Sequence, residues 1–434
     1  MTSTHRVAIF LNWPGFDINV SPAVYTLLKL LLDDGVEIDL FTPSQLIKEN
    51  TVLASINNVY ENSKPRTITW KGLRHLSGED FFGEPYKDSN RLRKEERDYF
   101  YRDVLKTFKL LFYIVQNRKR PLKLVCSLDM YNAIMKRVSQ KTYDYTIGIE
   151  EAGLVIAHQV LPDVPLLYYS LELYYEDYPK HAFRKSLYGR FLKKFQRQAF
   201  AYVDAVIIQD EDRAFKLFED MHQIYIPTKV LYFPVSYLGA AMWQRDSLLR
   251  DRFPSIGNRT ILLQAGSIVL ARYAAELMSA AHSCPPDMAV VFHGKFDKAS
   301  KEMAENTPCY VSMPVPFDML ERIPASADIG LVFYPDWNDN DRFTAHASGQ
   351  LALFLKCGVP VIVRRATSLY RLIKTYDCGV AVDSASEIFD AARIILANYE
   401  AYCQRALQCF QNEHDLGNYY LAIQSWMSRR CQNT

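Results

Sequence analysis

The residues best placed to do chemistry lie in one stretch, residues 345–363, reading AHASGQLALFLKCGVPVIV. Ser348 and Gly349 open a helical pattern, Gly358 ends it, and an apolar strand follows at once. Small residues at a helix start leave backbone N–H groups open, and the helix dipole favours negative charge there, so the chemistry on offer is diphosphate binding. An ordinary capped helix before a core strand would carry the same pattern. His346, beside the Ser-Gly pair, has the means to donate to a phosphate or sugar oxygen. His293, at a strand end, reads as a core-edge residue. Other reactive signatures are missing. The chain has no G-x-G-x-x-G after its first strand and no G-x-x-x-x-G-K-[ST], which argues against a dehydrogenase and a P-loop NTPase. It has no G-x-S-x-G elbow and no H-E-x-x-H helix. None of its 8 cysteines forms a C-x-x-C pair or a zinc spacing with histidine, so they are expected to be buried free thiols, with no metal site.

The elements that must position these residues alternate between short apolar runs and helical patterns. Residues 7–11 read as a buried strand. Ser21-Pro22 supplies a cap and a first-turn proline for a helix with an apolar face of leucines, and residues 36–41 form the next strand. Strand, helix and strand in so short a span make a βαβ unit, which demands a mostly parallel sheet. The theme returns at residues 144–149, 165–171, 205–209 and 230–233. A second series runs through 260–264, 289–293, 310–312, 328–333, 360–363 and 379–382, and the chain is helical from residue 386. The polar stretch 234–259 marks a domain boundary. Residues 45–120 fit the pattern poorly and read as an insertion holding a basic helix, 91–115. The expectation is α/β: two Rossmann-like domains with parallel sheets facing across a cleft, with ligands at the carboxyl ends of the strands. Domain one would span 1–235 and domain two 236–400, with helices from 401–434 crossing back onto domain one.

Composition sets the frame. In 434 residues, 51 Lys and Arg meet 49 Asp and Glu, a net charge of +2 that argues against a nucleic-acid partner. The 49% hydrophobic share and 23% charged share exclude wholesale disorder. No stretch approaches a membrane span, and no signal peptide is evident, so the expected location is cytoplasmic. Residues 180–197 carry seven basic residues and no acidic one, and residues 91–123 carry eleven basic against four acidic. A basic helix interleaved with Phe and Leu suits a peripheral position on the inner face of an anionic membrane, although Leu187, Phe191, Phe195 and Ala199 also form a stripe that would pack on the sheet.

Taken in order, several segments resemble the nucleotide-sugar half of GT-B glycosyltransferases, most closely the large group-1 (family 4, retaining) class. They are Ala265-Gly266-Ser267-Ile268 with Arg272 after it, the strand 289–293 ending in Gly294, residues 328–334, and the Ser348-Gly349 helix followed by Gly358-Val359-Pro360. In domain one, Tyr168-Tyr169-Ser170-Leu171-Glu172-Leu173 is similar to a strand end in one branch of that class, and residues 205–213 resemble the strand and turn that close its first domain. The resemblance implies a nucleotide diphosphate sugar as donor and a glycan, lipid-linked or small-molecule acceptor, with retention, no cofactor and no metal. It places Gly266 and Ser267 on the pyrophosphate loop, with Arg272 neutralising the phosphates. Ser348, Gly349 and Gln350 would hold the diphosphate. Gly294 and Lys295, with Val315 and Phe317, would border the base, and Asn340 would reach the donor sugar. Gly15, Phe16 and Glu172 would lie on the acceptor side. Glu172, Arg272 and His346 are the candidate catalytic residues. Polysaccharide biosynthesis is the implied setting.

The sequence departs from that class where chemistry matters. The usual acidic pair, eight residues apart, is replaced by Ala345 and Leu353, and neither side chain accepts a ribose hydrogen bond. Gln350 stands where a basic residue is common, and Leu171 where His often precedes the acidic residue matching Glu172. Two rivals therefore stand beside the transferase: a catalytically silent GT-B partner protein, and a nucleotide-sugar epimerase of similar fold.

Overall fold

The structure is a computed structural model. It describes residues 5–12, 18, 21–42, 55–56, 115, 122, 125–126, 128–173, 183–243, 245–270, 273–365 and 367–431. Almost all of the expected insertion, with its basic helix, lies outside them.

Domain one holds β1 (Arg6–Leu11), β2 (Glu37–Phe41), β3 (Tyr145–Ile149), β4 (Leu166–Tyr169), β5 (Ala205–Ile208) and β6 (Val230–Tyr232). They pair in parallel in the order β2-β1-β3-β4-β5-β6. Its helices include α1 (Pro22–Asp33), α2 (Leu128–Val138), α3 (Glu150–Val160), α4 (Phe183–Phe200) and α5 (Glu211–Asp220). Domain two holds β7 (Thr260–Ile268), β8 (Met288–Phe296), β9 (Tyr310–Ser312), β10 (Ile329–Val332), β11 (Val361–Arg364) and β12 (Gly379–Val382), ordered β12-β11-β10-β7-β8-β9 and again parallel. In chain order that is the 3-2-1-4-5-6 arrangement of dinucleotide-binding sheets, with its switch point between β7 and β10. The helices of domain two include α6 (Ala274–Ala280), α7 (Lys298–Glu305), α8 (Asp339–Arg342), α9 (Gly349–Lys356), α10 (Thr367–Tyr376), α11 (Ile388–Leu396) and α12 (Tyr399–Glu413).

Each sheet is buried on both faces, so its strands read as unbroken apolar runs. In domain one, Ile9, Leu11, Ile147 and Ile149 face α1, while Phe10, Tyr168 and Ile208 face the layer of α3 and α4. The last helix, α13 (Leu416–Cys431), lays Leu416, Tyr420, Ile423, Trp426 and Met427 into the core shared with α1. The chain thus returns to domain one, whereas α12 keeps Ala406, Cys409 and Phe410 in the core of domain two.

Three local findings differ from the sequence reading. Ser21 has the extended backbone of a cap, but its side chain makes no cap hydrogen bond, and Pro22 alone sets the first turn. Strands β7 and β8 run past their apolar segments. Gly266 pairs with Gly294, and Ser267 with Lys295, so the ladder continues into polar residues that hydrophobic periodicity does not mark as strand. Finally, α4 does not present all its charge to solvent. Phe195, Ala199 and Phe200 are buried against the sheet. Lys193 is 2% exposed and sits between Glu151 at 2.9 Å and Asp220 at 2.8 Å, while Arg197 donates to the Asp220 carbonyl at 2.8 Å. Lys194 is exposed.

Breaking a buried ion pair strands its partner, at about 3 kcal/mol. Lys193→Ala should therefore destabilise the fold by about that much in thermal or urea unfolding. Lys194→Ala should shift stability by no more than about 0.5 kcal/mol.

Candidate functional site

The carboxyl edge of the second sheet gathers most of the residues expected to bind donor. Gly266 (φ 107°) and Ser267 are exposed at the end of β7. Register places Gly294 and the exposed Lys295 beside them on β8. Gly294 has φ 138°, and a Cβ there would lie 1.9 Å from the Gly266 carbonyl oxygen, so only glycine keeps the two strand ends this close. His293 is buried, with Nδ1 2.9 Å from Ser312 Oγ, and burial, assisted by Arg252, lowers it to about 4. It is a neutral core-edge residue. Val315 follows β9 and packs against the domain core. Phe317 begins a short turn, and its side chain is outside the described residues.

At the end of β10, Tyr334 reaches Ser348, hydroxyl to hydroxyl, at 2.7 Å. Ser348 also caps α9, its Oγ accepting from the Leu351 N–H at 3.1 Å. Gln350 turns back to donate to the Leu331 carbonyl at 2.9 Å, pinning the helix to the sheet. Gly349 is covered by domain one and the linker: a Cβ there would meet Pro22 at 3.2 Å, Val235 at 3.4 Å and the Tyr237 hydroxyl at 3.5 Å. Its smallness thus serves contact between domains. Ala345 is 1% exposed and Leu353 8%, both apolar and buried.

Facing this edge is the strand end after β4. Glu172 is half-buried, and its N–H donates to Glu150 Oε1 at 2.9 Å; the Leu171 N–H reaches the same oxygen at 2.6 Å. Glu150 stands at the junction of β3 and α3 with φ 60°, a strained conformation for a residue with a Cβ. Burial, reinforced by the Glu172 charge, pushes its carboxyl up to about 8, and its Oε2 has no hydrogen-bond partner among the described residues. Arg213, 1% exposed, fastens the two domains. It donates to Gln209 Oε1 at 2.5 Å, the Leu171 carbonyl at 2.7 Å, Asn340 Oδ1 at 2.9 Å and the Phe343 carbonyl at 3.2 Å. Asn340 is engaged here as well: its Oδ1 accepts the Leu173 N–H at 2.7 Å and its Nδ2 donates to the Leu173 carbonyl at 3.1 Å. Its amide holds the seam instead of projecting freely towards a donor sugar.

His346 belongs to the same seam. Its Nδ1 lies 3.3 Å from Asp210 Oδ2 and its Nε2 3.0 Å from Glu413 Oε2, so both ring nitrogens face carboxylates. Burial alone would lower its pKa; the two carboxylates outweigh that and raise it to about 9. His346 in return lowers Glu413 to about 2. The His346 carbonyl accepts the Val235 N–H at 2.8 Å. The adjacent His414 is fully buried and held neutral, lowered to about 3 by burial and by the charge on His346.

The structure therefore assembles Gly266, Ser267, Gly294, Lys295, Ser348, Gly349 and Gln350 along one edge, and sets Asn340, His346 and Glu172 at the seam. Arg272, Gly15 and Phe16 lie outside the described residues. Arg213 and Glu150 were missed by the sequence reading. A helical position and a strand–helix junction gave no sign of a buried guanidinium or a strained carboxyl.

Comparison with known proteins bears on the fold. Residues 279–422 match the family model for the glucosyltransferase 3-like C-terminal domain. Among curated protein sequences none matches. Solved structures align over nearly the whole chain. HepE from Anabaena, in complex with UDP-glucose, has a TM-score of 0.62 at 12% identity and covers 98% of this chain and 99% of its own. Sucrose-phosphate synthase from Thermosynechococcus elongatus has a TM-score of 0.64 at 12% identity, covering 99% and 100%. WaaG, a glycosyltransferase involved in lipopolysaccharide biosynthesis, has a TM-score of 0.57 at 13% identity, covering 96% and 98%. The fold is GT-B.

The His346 contacts set a pH dependence. A histidine raised from 6.5 to about 9 contributes stability that is complete below pH 6.5 and is lost as pH climbs through 9. Glu413, lowered to about 2, contributes stability present above pH 4.5 and lost as pH falls towards 2. The stability difference between the parent and His346→Gln should therefore be greatest between about pH 4.5 and 6.5, at roughly 2–3 kcal/mol, and shrink by pH 9. Melting curves across pH 5–9 measure it, and a difference that does not change with pH contradicts the ionic role.

Proposed function

We propose that this chain is a glycosyltransferase that moves a sugar, a hexose by our reading, from a nucleoside diphosphate to a hydroxyl-bearing acceptor. UDP is the first candidate for the donor nucleotide, because the aligned HepE structures hold UDP and UDP-glucose. The observation that carries the reading is the open glycine edge, Gly266-Ser267 beside Gly294-Lys295, next to the β7/β10 switch point and facing a second parallel domain. The match of residues 279–422 to a glucosyltransferase 3-like domain supports it. In this reading residues 1–235 form the acceptor side and 236–400 the donor side; of the tail 401–434, α12 stays with the donor side and α13 returns to the acceptor side.

The chemistry asks little covalent work of the protein. The diphosphate is the leaving group, and its developing charge must be stabilised. Arg272 and the backbone of the Gly266-Ser267 loop take that role, with the α9 start contributing as the domains adjust. Glu172 orients a sugar or acceptor hydroxyl, and Gly15 and Phe16 border the acceptor. Gly294, Lys295, Val315 and Phe317 flank the base. Asn340 and His346 act on the reaction by holding the seam. Holding acceptor and donor together while the closing cleft excludes water supplies the rest. The reading assigns retention of configuration, no metal, and a glycan or lipid-linked acceptor. In this reading electrostatic attraction to a membrane rests on Arg190 and Lys194, which are exposed, and not on Lys193, which is buried.

A second reading, a catalytically silent binding partner of the same fold, is favoured by the burial of apolar Ala345 and Leu353. An epimerase would need no acceptor. Turnover separates all three: a transferase releases UDP from UDP-glucose only with acceptor, an epimerase changes the sugar without one, and a silent protein does neither. Calorimetric titration locates the donor. Arg272→Ala should weaken UDP binding about ten- to a hundred-fold, as expected for a lost charge-assisted hydrogen bond. If the parent binds UDP and Arg272→Ala binds it equally well, the donor lies elsewhere.

A further inference from the structure

Strand β11 ends in a second guanidinium that the sequence reading did not assign. Arg364 is half-buried, and its Nε and Nη1 are fully buried with no hydrogen-bond partner among the described residues. Its guanidinium carbon lies 4.8 Å above the Tyr273 ring. Tyr273 in turn packs against Phe333, ring centres 6.1 Å apart. A ring face compensates only part of what a partly buried guanidinium loses on leaving water, and the rest calls for an anion. Its neighbour shows the contrast: Arg365 is more open and donates to Asp383 at 2.9 Å.

Its location says which anion. Tyr273 stands where the chain leaves the Gly266-Ser267 loop and enters α6, with φ 64°. Val332 pairs with Val363, so the residue after β10, Phe333, comes level with Arg364. Phe333 and Tyr334 leave the strand end on opposite faces, one to Tyr273 and the other to Ser348. Arg364 and the start of α9 therefore flank the switch point from its two sides. Along the sheet edge, β8 and β9, proposed to border the base, lie on one side of β7, and β11 lies on the other beyond β10. From β8 to β11 there are three strand spacings, about 14 Å. A nucleotide with its base over β8 and β9 points its far phosphate at β11.

Resting on the transferase reading, we propose that Arg364 binds the terminal phosphate of the nucleoside diphosphate, opposite the α9 start. It discriminates a diphosphate from a monophosphate.

The test is calorimetric titration of the full chain and of Arg364→Gln and Arg364→Lys with UDP, UMP and uridine, with melting temperatures recorded without nucleotide. Arg364→Gln should weaken UDP about ten- to a hundred-fold and leave UMP and uridine within about twofold, and Arg364→Lys should recover part of the loss. Without nucleotide, Arg364→Gln should melt at or above the parent temperature, because an unpaired, partly buried charge has been removed. If the parent binds UDP and Arg364→Gln binds it as tightly, this proposal falls alone. If UDP and UMP weaken together, or the variant melts well below the parent, Arg364 is not a reader of the terminal phosphate. If the parent binds no nucleoside diphosphate, the transferase reading falls, and this proposal with it.

Discussion

One buried guanidinium organises the seam of this molecule. Arg213 comes from α5 of domain one and makes four hydrogen bonds, two of them to the 340–343 segment of domain two. Its partners are neutral carbonyl and amide oxygens, which satisfy the guanidinium fork only if all stay in place. Each bond fixes something different. Gln209 holds the fork on its own turn, Leu171 fixes the strand end that carries Glu172, and Asn340 and Phe343 fix the approach of domain two. Removing the side chain would take a donor from all four oxygens at once, and Asn340 Oδ1 would keep only the Leu173 N–H.

The rest of the seam follows the same principle. Its polar ties include the His346–Asp210 contact, with His346 held from its own side by Glu413, an ion pair between Asp212 and Arg371, and the Val235–His346 backbone bond. Polar interfaces of this kind suit domains that shift relative to each other, unlike a continuous apolar core. Gly349 packed against Pro22 shows how closely the two halves meet beside the proposed donor edge. A donor that uses the α9 start has to be accommodated there by movement of one half.

The fold was largely legible because both sheets are buried on two faces, which writes each strand as an apolar run between helical patterns. The edges of the site were less so. Strands β7 and β8 extend through paired glycines, whose role depends on close backbone approach between segments about thirty residues apart. His346 was visible as a reactive type, but its carboxylate partners come from residues 210 and 413, which no local pattern connects. Lys193 looked like surface charge because its partners, Glu151 and Asp220, sit on other helices. Arg364 followed an apolar strand without any spacing signal. In each case the missing information was a contact across the fold, while the residue type was plain.

The central claim is that a nucleoside diphosphate binds along the carboxyl edge of the second sheet. Hydrogen exchange of the full chain, with and without saturating UDP, tests it most directly. The account predicts added protection in peptides covering residues 264–270, 293–296 and 345–352, with little change in peptides from α2 and the distal end of α4. Protection confined to domain one, or none at a UDP concentration shown to saturate the protein, would contradict it.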